Sequence, residues 1–245
     1  AQRNMAARNY KALASGEHLL LEAPTGSGKS IGALYPAVKV LREDGKIFFL
    51  TARNSGAEAA IKASLLLREK NPALTCVELT ARRKACFCER LGEEKTSCPF
   101  SQGYYDRSMS ATNELLLLGS AVKSEIEKVA EKHSVCPFEL SLDTASWADI
   151  VVGDLNYVFD PYVALKRFQD RERFILLVDE AHQLADRVKE MLSASLVLET
   201  NTLLALTSPE VGASIANIEM RIVDLANRHL FESEEIEIER DEALE

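Results

Sequence analysis

Glu22-Ala23-Pro24-Thr25-Gly26-Ser27-Gly28-Lys29-Ser30 is the stretch from which the rest of the chain is read. It follows the apolar run Leu19-Leu20-Leu21 and precedes Ile31-Gly32-Ala33-Leu34-Tyr35, which has the composition of a helix. A buried strand, a glycine turn and a helix opening on Lys-Ser are the parts of a phosphate-binding loop. Gly26 and Gly28 let the backbone turn its N–H groups toward phosphate oxygens. The helix N-terminus favours negative charge, Lys29 reaches the β- and γ-phosphates, and the Ser30 hydroxyl suits magnesium. Thr25, Gly26, Ser27, Gly28, Lys29 and Ser30 are therefore the expected nucleotide contacts. One position departs from the strict pattern: Ala23 stands where it has glycine.

A second stretch separates this reading from that of a surface turn before a helix. Phe174-Ile175-Leu176-Leu177-Val178 is a buried-strand pattern, and Asp179-Glu180-Ala181-His182 follows it directly. In a parallel sheet an acid at such a strand end lies beside the phosphate loop. Asp179 can hold magnesium through water there, and Glu180 can polarise an attacking water. Lys29, Asp179, Glu180 and His182 form the candidate catalytic set.

Outward from these two stretches, strands and helices alternate. Helices are expected over residues 2–13, 30–42 and 55–70, with strands at residues 18–21 and 46–50. Further strands are expected at residues 75–79, 149–153 and 174–178. That alternation predicts an α/β fold, a parallel sheet with helices on its faces. The rhythm is interrupted from residue 76 to 140, where charge and cysteine accumulate around one long expected helix, residues 103–133. The reading is a sheet domain of residues 1–75 and 141–190, an insertion of residues 76–140, and a helical segment of residues 191–245. In the last of these, Ile215, Ile218, Ile222 and Leu225 are spaced for one helix face.

Composition sets bounds. The 245 residues suffice for one large domain, and 47% hydrophobic with 27% charged residues is ordinary for a globular chain. No apolar run approaches a membrane span, and no signal-peptide pattern opens the chain, so it reads as cytoplasmic. The net charge of −9 disfavours nucleic-acid binding only at first sight. Residues 231–245 carry eight acids against Arg240, leaving a net of −2 for the other 230 residues.

All five cysteines lie between positions 76 and 136, a clustering that points to a metal or cluster site rather than disulfides. Cys76 sits in an expected strand and reads as a small buried hydrophobe, which leaves Cys86, Cys88, Cys98 and Cys136. Four thiolates suit an iron–sulfur cluster or structural zinc. Cys98-Pro99-Phe100 and Cys136-Pro137-Phe138 share the Cys-Pro context of iron–sulfur ligand runs, and no paired CxxC knuckle marks zinc. His133, three residues before Cys136, keeps a Cys/His zinc site open.

A phosphate loop, a cysteine-bearing insertion and Asp179-Glu180-Ala181-His182, in that order, resemble the XPD/DinG family of superfamily 2 DNA helicases, in its bacterial DinG-related branch. Leu50-Thr51-Ala52-Arg53 resembles motif Ia, which touches the DNA backbone, and Thr80-Ala81-Arg82-Arg83-Lys84-Ala85-Cys86 resembles the approach to the first cluster ligand. Gly103-Tyr104-Tyr105-Asp106-Arg107 after Cys98, and residues 153–161 before the second motif, fit as well. The resemblance implies a RecA-like motor domain, ATP, Mg2+ and a 4Fe–4S cluster on Cys86, Cys88, Cys98 and Cys136. It also implies adenine recognition by Gln2, DNA contacts from Arg53, Arg82, Arg83, Lys84 and Asn156, and 5′-to-3′ movement on single-stranded and forked DNA. The helical end corresponds to the start of the family's arch domain. The second motor domain, with its arginine fingers, has no counterpart in the sequence, so the chain reads as a fragment that hydrolyses little alone. The competing expectations are a zinc-stabilised nucleotide-binding module without motor action and an RNA helicase.

Overall fold

The computed structural model describes residues 2–24, 26–42, 45–88, 98–160, 174–193, 213, 217, 218, 220 and 221. Thr25, Pro161, Ile215, Ile222, Leu225 and the acidic residues 231–245 lie outside the described set. The chain divides into two compact units, Ala1–Leu192 and Ser193–Glu245. Of the second unit's expected helix face only Ile218 is described, helical and exposed.

Five strands form one parallel sheet: β1 (Lys46–Leu50), β2 (Cys76–Glu78), β3 (Ser120–Ala121), β4 (Ile150–Gly153) and β5 (Phe174–Val178), in the order β3-β2-β4-β1-β5. Every residue of Lys-Ile-Phe-Phe-Leu in β1 and Ile-Val-Val-Gly in β4 is buried, as central strands covered on both faces must be. Alternation sends Phe48, Leu50, Val77 and Val151 to one core, and Ile47, Phe49, Cys76, Ile150 and Val152 to the other. The first core is closed by helices Tyr104–Leu118, Lys123–His133 and Pro137–Trp147 through Ala111, Leu115, Ala130 and Leu140. The second is closed by helices Lys29–Val40 and Asn54–Arg68 through Leu34, Ala37, Ala60 and Ala63. The expected α/β layering is therefore present.

Three expectations are corrected. Residues 18–21 form no strand: among the described residues no ladder is available to them, and Leu20 is 85% exposed. β5 is correspondingly an edge strand, only partly buried. The single helix over residues 103–133 is two helices. Gly119 ends the first in the left-handed region (φ 71°), its N–H donating to the Leu115 and Leu116 carbonyls. The next two residues then pair with Cys76 and Val77 as β3. Lastly, β2 and β3 come from the segment read as an insertion, and the helices between residues 104 and 140 pack on the sheet itself. Cys76, in β2, is 3% exposed, and burial pushes its thiol up to about 12.

One tie across the fold has no local sequence signal. Lys46, 2% exposed, donates its ammonium to the Ala145 carbonyl at 2.7 Å and also to that of Ala148, closing the C-terminal end of helix Pro137–Trp147. Cys136 is the residue before that helix, with Pro137 at its first position. The buried cation therefore anchors the helix at the end away from the cysteine.

Candidate nucleotide-binding site

The loop that opens helix Lys29–Val40 is built from backbone geometry. Gly26 and Gly28 have φ of 77° and 78°, a region that costs a residue with Cβ about 1–2 kcal/mol. The Ser27 N–H donates to the Pro24 carbonyl at 3.3 Å, and the Gly32 N–H to that of Gly28 at 3.0 Å. Lys29 Nζ donates to the Ala23 carbonyl at 3.3 Å, a self-contact within the loop. Ser27 Oγ is buried without a hydrogen-bond partner among the described residues. A positive-φ turn, an orphaned buried hydroxyl and an ammonium on a loop carbonyl match what a nucleotide's phosphates require. Ser30 lies in the first turn of the helix, half-buried.

Helix Gln2–Ser15 leans on this element. Asn9 Nδ2 donates to the Gly32 carbonyl at 3.0 Å, and the Met5 methyl fills the space a side chain at Gly32 would need. Gln2 rests against Gly28, its Cδ 3.1 Å from where a Cβ there would stand. The residue expected at the adenine thus lies over the phosphate loop.

Asp179 follows β5, and its N–H donates to the Leu50 carbonyl at 2.8 Å, which brings it beside Thr51 at the end of β1. Glu180 is held at φ 54°, a strained setting for a non-glycine residue, and begins the short 3-10 turn Ala181–Gln183. His182 Nδ1 stands 3.5 Å from Glu180 Oε2, so His182 is brought to the carboxylate although its ring is 69% exposed. Among the described residues no hydrogen bond or ion pair joins Lys29 or Ser30 to Asp179 or Glu180.

Two of the cysteines stand as a pair. Cys88 Sγ and Cys98 Sγ are 3.2 Å apart. Partial desolvation works against the Cys98 thiolate, but hydrogen bonds from Cys88 and from the backbone of Phe100 and Ser101 leave the thiol below its ordinary value. Burial pushes the Cys136 thiol up, and the charges of Glu139 and Cys86 add to it. Among the described residues no three of the His, Cys, Asp and Glu side chains are arranged to hold one metal ion. His133 is instead bound to Glu114, at 2.7 Å.

Arg82, Arg83 and Lys84 occupy the exposed turn Arg82–Ala85 beside Cys86, with no ion pair to a described residue. Arg53, also exposed, precedes helix Asn54–Arg68. Asn156 begins the turn Asn156–Phe159; its N–H donates to Asp154 Oδ1 at 2.9 Å, while its own Oδ1 is buried without a partner among the described residues. The two tyrosines differ. Tyr104 is buried and donates to Asp143 Oδ2 at 2.6 Å, whereas Tyr105 is 88% exposed.

Sequence reading missed Gly56. Its place in the first turn of helix Asn54–Arg68 brings Thr51 and Asp179 into contact range, and a glycine near the start of a predicted helix was the available signal.

Known proteins share parts of this sequence and its fold. The XPD helicase subunit of general transcription and DNA repair factor IIH from Dictyostelium discoideum is 25% identical over 245 aligned residues, covering 88% of this chain and 31% of the relative. ATP-dependent DNA helicase DinG of Escherichia coli K12 is 24% identical over 234, covering 79% and 33%. The chain thus spans about a third of the length of these curated relatives. A solved XPD helicase superposes with a TM-score of 0.61 at 19% identity, over 98% of this chain and 44% of that one, which shows a shared fold. The family described as DEAD_2 matches residues 54–201, more than half of the sequence. On that match the chain belongs to the DEAD_2 family.

Proposed function

We propose that this chain supplies the nucleotide-binding motor unit of an ATP-dependent DNA helicase. The observation that carries the reading is the loop at residues 26–29. Two positive-φ glycines, an orphaned buried hydroxyl and a lysine on its own loop carbonyl leave the loop undersatisfied in the way a phosphate would correct. The named relatives, a DNA repair helicase subunit and an ATP-dependent DNA helicase, supply the substrate class.

In this reading Lys29 exchanges the Ala23 carbonyl for phosphate oxygens, and Ser27 donates its free hydroxyl. Gly26 and Gly28 present backbone N–H groups, and Gln2, already against Gly28, reads the nucleotide from the helix above. Ser30 and Asp179 are the residues that would hold magnesium, which when bound neutralises the β/γ oxygens. Glu180, fixed by its left-handed backbone and next to His182, orients the attacking water. Arg53 and Asn156 contact single-stranded DNA, and Arg82, Arg83 and Lys84 meet the phosphates of a fork.

Cys86, Cys88, Cys98 and Cys136 are the proposed ligands of a 4Fe–4S cluster, supported by the approach of Cys88 to Cys98. The cluster-bearing part is narrower than residues 76–140, since β2, β3 and the helices beyond residue 104 serve the sheet. We also assign the 5′-to-3′ direction by resemblance. A second motor domain is assigned the remaining transition-state charge, so this chain alone turns over little.

Anisotropy of a labelled single-stranded oligonucleotide tests the DNA assignment. Binding that weakens with salt and falls about tenfold or more on combined Arg82→Ala, Arg83→Ala and Lys84→Ala substitution is expected. Tighter binding of an RNA oligonucleotide would contradict it. Iron and acid-labile sulfide of about four each per chain are expected after anaerobic purification. Zinc without colour would favour the nucleotide-binding module.

A further inference from the structure

Three parts of the site meet at position 56. Thr51 and Asp179 each follow a strand, β1 and β5, which are parallel neighbours with Leu50 opposite Val178. Helix Asn54–Arg68 begins three residues after Thr51, and its first turn lies over both side chains. A Cβ at Gly56 would collide with Thr51 Oγ1 and stand 3.1 Å from Thr51 Cβ and 2.8 Å from Asp179 Oδ2. Only a residue without a side chain lets the helix, the hydroxyl and the carboxylate approach this closely. The cost to the helix is accepted at this one place, since Ala57, Ala59, Ala60 and Ala63 follow in the same element.

Thr51 is itself tied to the proposed DNA contact. Its Oγ1 accepts the Arg53 N–H at 3.3 Å and lies 3.4 Å from the Arg53 carbonyl, which its hydroxyl reaches. The side chain is 4% exposed, so it has no free volume into which to retreat. Asp179 and the Thr51 hydroxyl therefore both face the bare backbone of Gly56, and the same hydroxyl holds the Arg53 backbone.

We propose that Gly56 is a positioning residue whose missing side chain keeps Asp179, Thr51 and the Arg53 loop in one close-packed contact, so that magnesium–nucleotide binding at Asp179 is felt by the DNA-contacting loop. This rests on the nucleotide-site reading above. A methyl at position 56 displaces the carboxylate and the hydroxyl from this turn and severs the link, while no atom of Lys29 or of the phosphate loop is among those the methyl meets.

The test uses the 245-residue chain and its variants Gly56→Ala, Thr51→Ala with Gly56→Ala, Ala59→Gly and Lys29→Ala. Binding of a fluorescent ATP analogue is titrated with Mg2+ and without it. Affinity for an oligothymidylate is then measured with and without a non-hydrolysable magnesium–ATP analogue. For Gly56→Ala the Mg2+ midpoint is expected to rise about tenfold, a displacement within the usual range for overpacking. The nucleotide effect on DNA affinity is lost, while Mg2+-free nucleotide binding stays within about twofold. Adding Thr51→Ala, which removes the oxygen the new methyl meets, restores part of the Mg2+ response.

An unchanged Mg2+ midpoint with the nucleotide effect intact overturns the proposal. So does a general loss matching that of Ala59→Gly, an exposed position of the same helix, because position 56 would then matter only to helix stability. If the wild type binds the analogue no better than Lys29→Ala, the nucleotide-site reading itself fails and takes the proposal with it. A wild type that binds nucleotide but shows no nucleotide effect on DNA affinity overturns the coupling alone.

Discussion

The phosphate loop and the cysteine-bearing side of the sheet are held in opposite ways. Between Pro24 and Gly32 the chain relies on backbone conformation and leaves groups unsatisfied: Ser27 Oγ has no partner among the described residues, and Lys29 leans on its own loop. On the other side, Ala111, Leu115, Ala130, Leu140 and Ala145, carried by three helices, are at most 1% exposed, and Cys136 stands at the edge of that packing. One region is arranged to receive a ligand and contributes little to stability. The other is a core whose integrity decides where Cys136 stands. Substitutions in the two regions should therefore separate binding from folding.

The largest effect belongs to the packed side. Leu115→Ala removes a side chain that is 1% exposed, and a cost of about 3 kcal/mol in urea unfolding is expected. Nucleotide affinity of the remaining folded fraction should be unchanged. If the substitution instead abolished nucleotide binding without destabilising the chain, the division between the regions would fail.

Lys46→Met sharpens the comparison. It leaves the Ala145 and Ala148 carbonyls without their cation while keeping the aliphatic stem, an expected loss of about 1–3 kcal/mol in thermal or urea unfolding. The freed helix is the one that follows Cys136, so hydrogen exchange should rise along residues 137–147 before it rises at the phosphate loop.

The smallest effect is a surface one. Hydrogen bonds from His133 and then Lys132 hold the Glu114 carboxyl below its ordinary value. A carboxyl lowered in the folded state stabilises the fold above the ordinary glutamate value of about 4.5 and loses that contribution as pH falls through its lower folded value. Wild type should therefore lose slightly more stability between pH 6 and pH 3 than Glu114→Gln, and equal slopes would show the cluster to be idle.

How much of this was legible follows from how local each feature is. The phosphate loop is contiguous, and β1, β4 and β5 announce themselves as short unbroken apolar runs, the mark of strands covered on both faces. The break at Gly119 carried one signal, a glycine between two runs of helix formers, and such a glycine alone does not decide whether a helix ends. What decides it is the pairing of Ser120 with Cys76, forty-odd residues earlier. The expected strand at residues 18–21 has a strand's composition, yet a strand exists only with a partner ladder, which the described residues do not supply. Lys46 capping Ala145 and Gly56 meeting Asp179 each join residues about a hundred positions apart. Periodicity and motif carry no information on such contacts, and the approach of Cys88 to Cys98 is of the same kind.

The most direct test of the central claim is equilibrium titration of the chain and of Lys29→Ala with a fluorescent ATP analogue in Mg2+. Saturable binding by the wild type is expected, weakened about thirty- to a hundredfold by the substitution, in line with a charged hydrogen bond of about 2–3 kcal/mol. The unfolding midpoint should stay within about 0.5 kcal/mol of wild type, since Lys29 donates only to its own loop. Equal affinity in the two proteins would contradict the nucleotide site, and with it the motor unit built on that site.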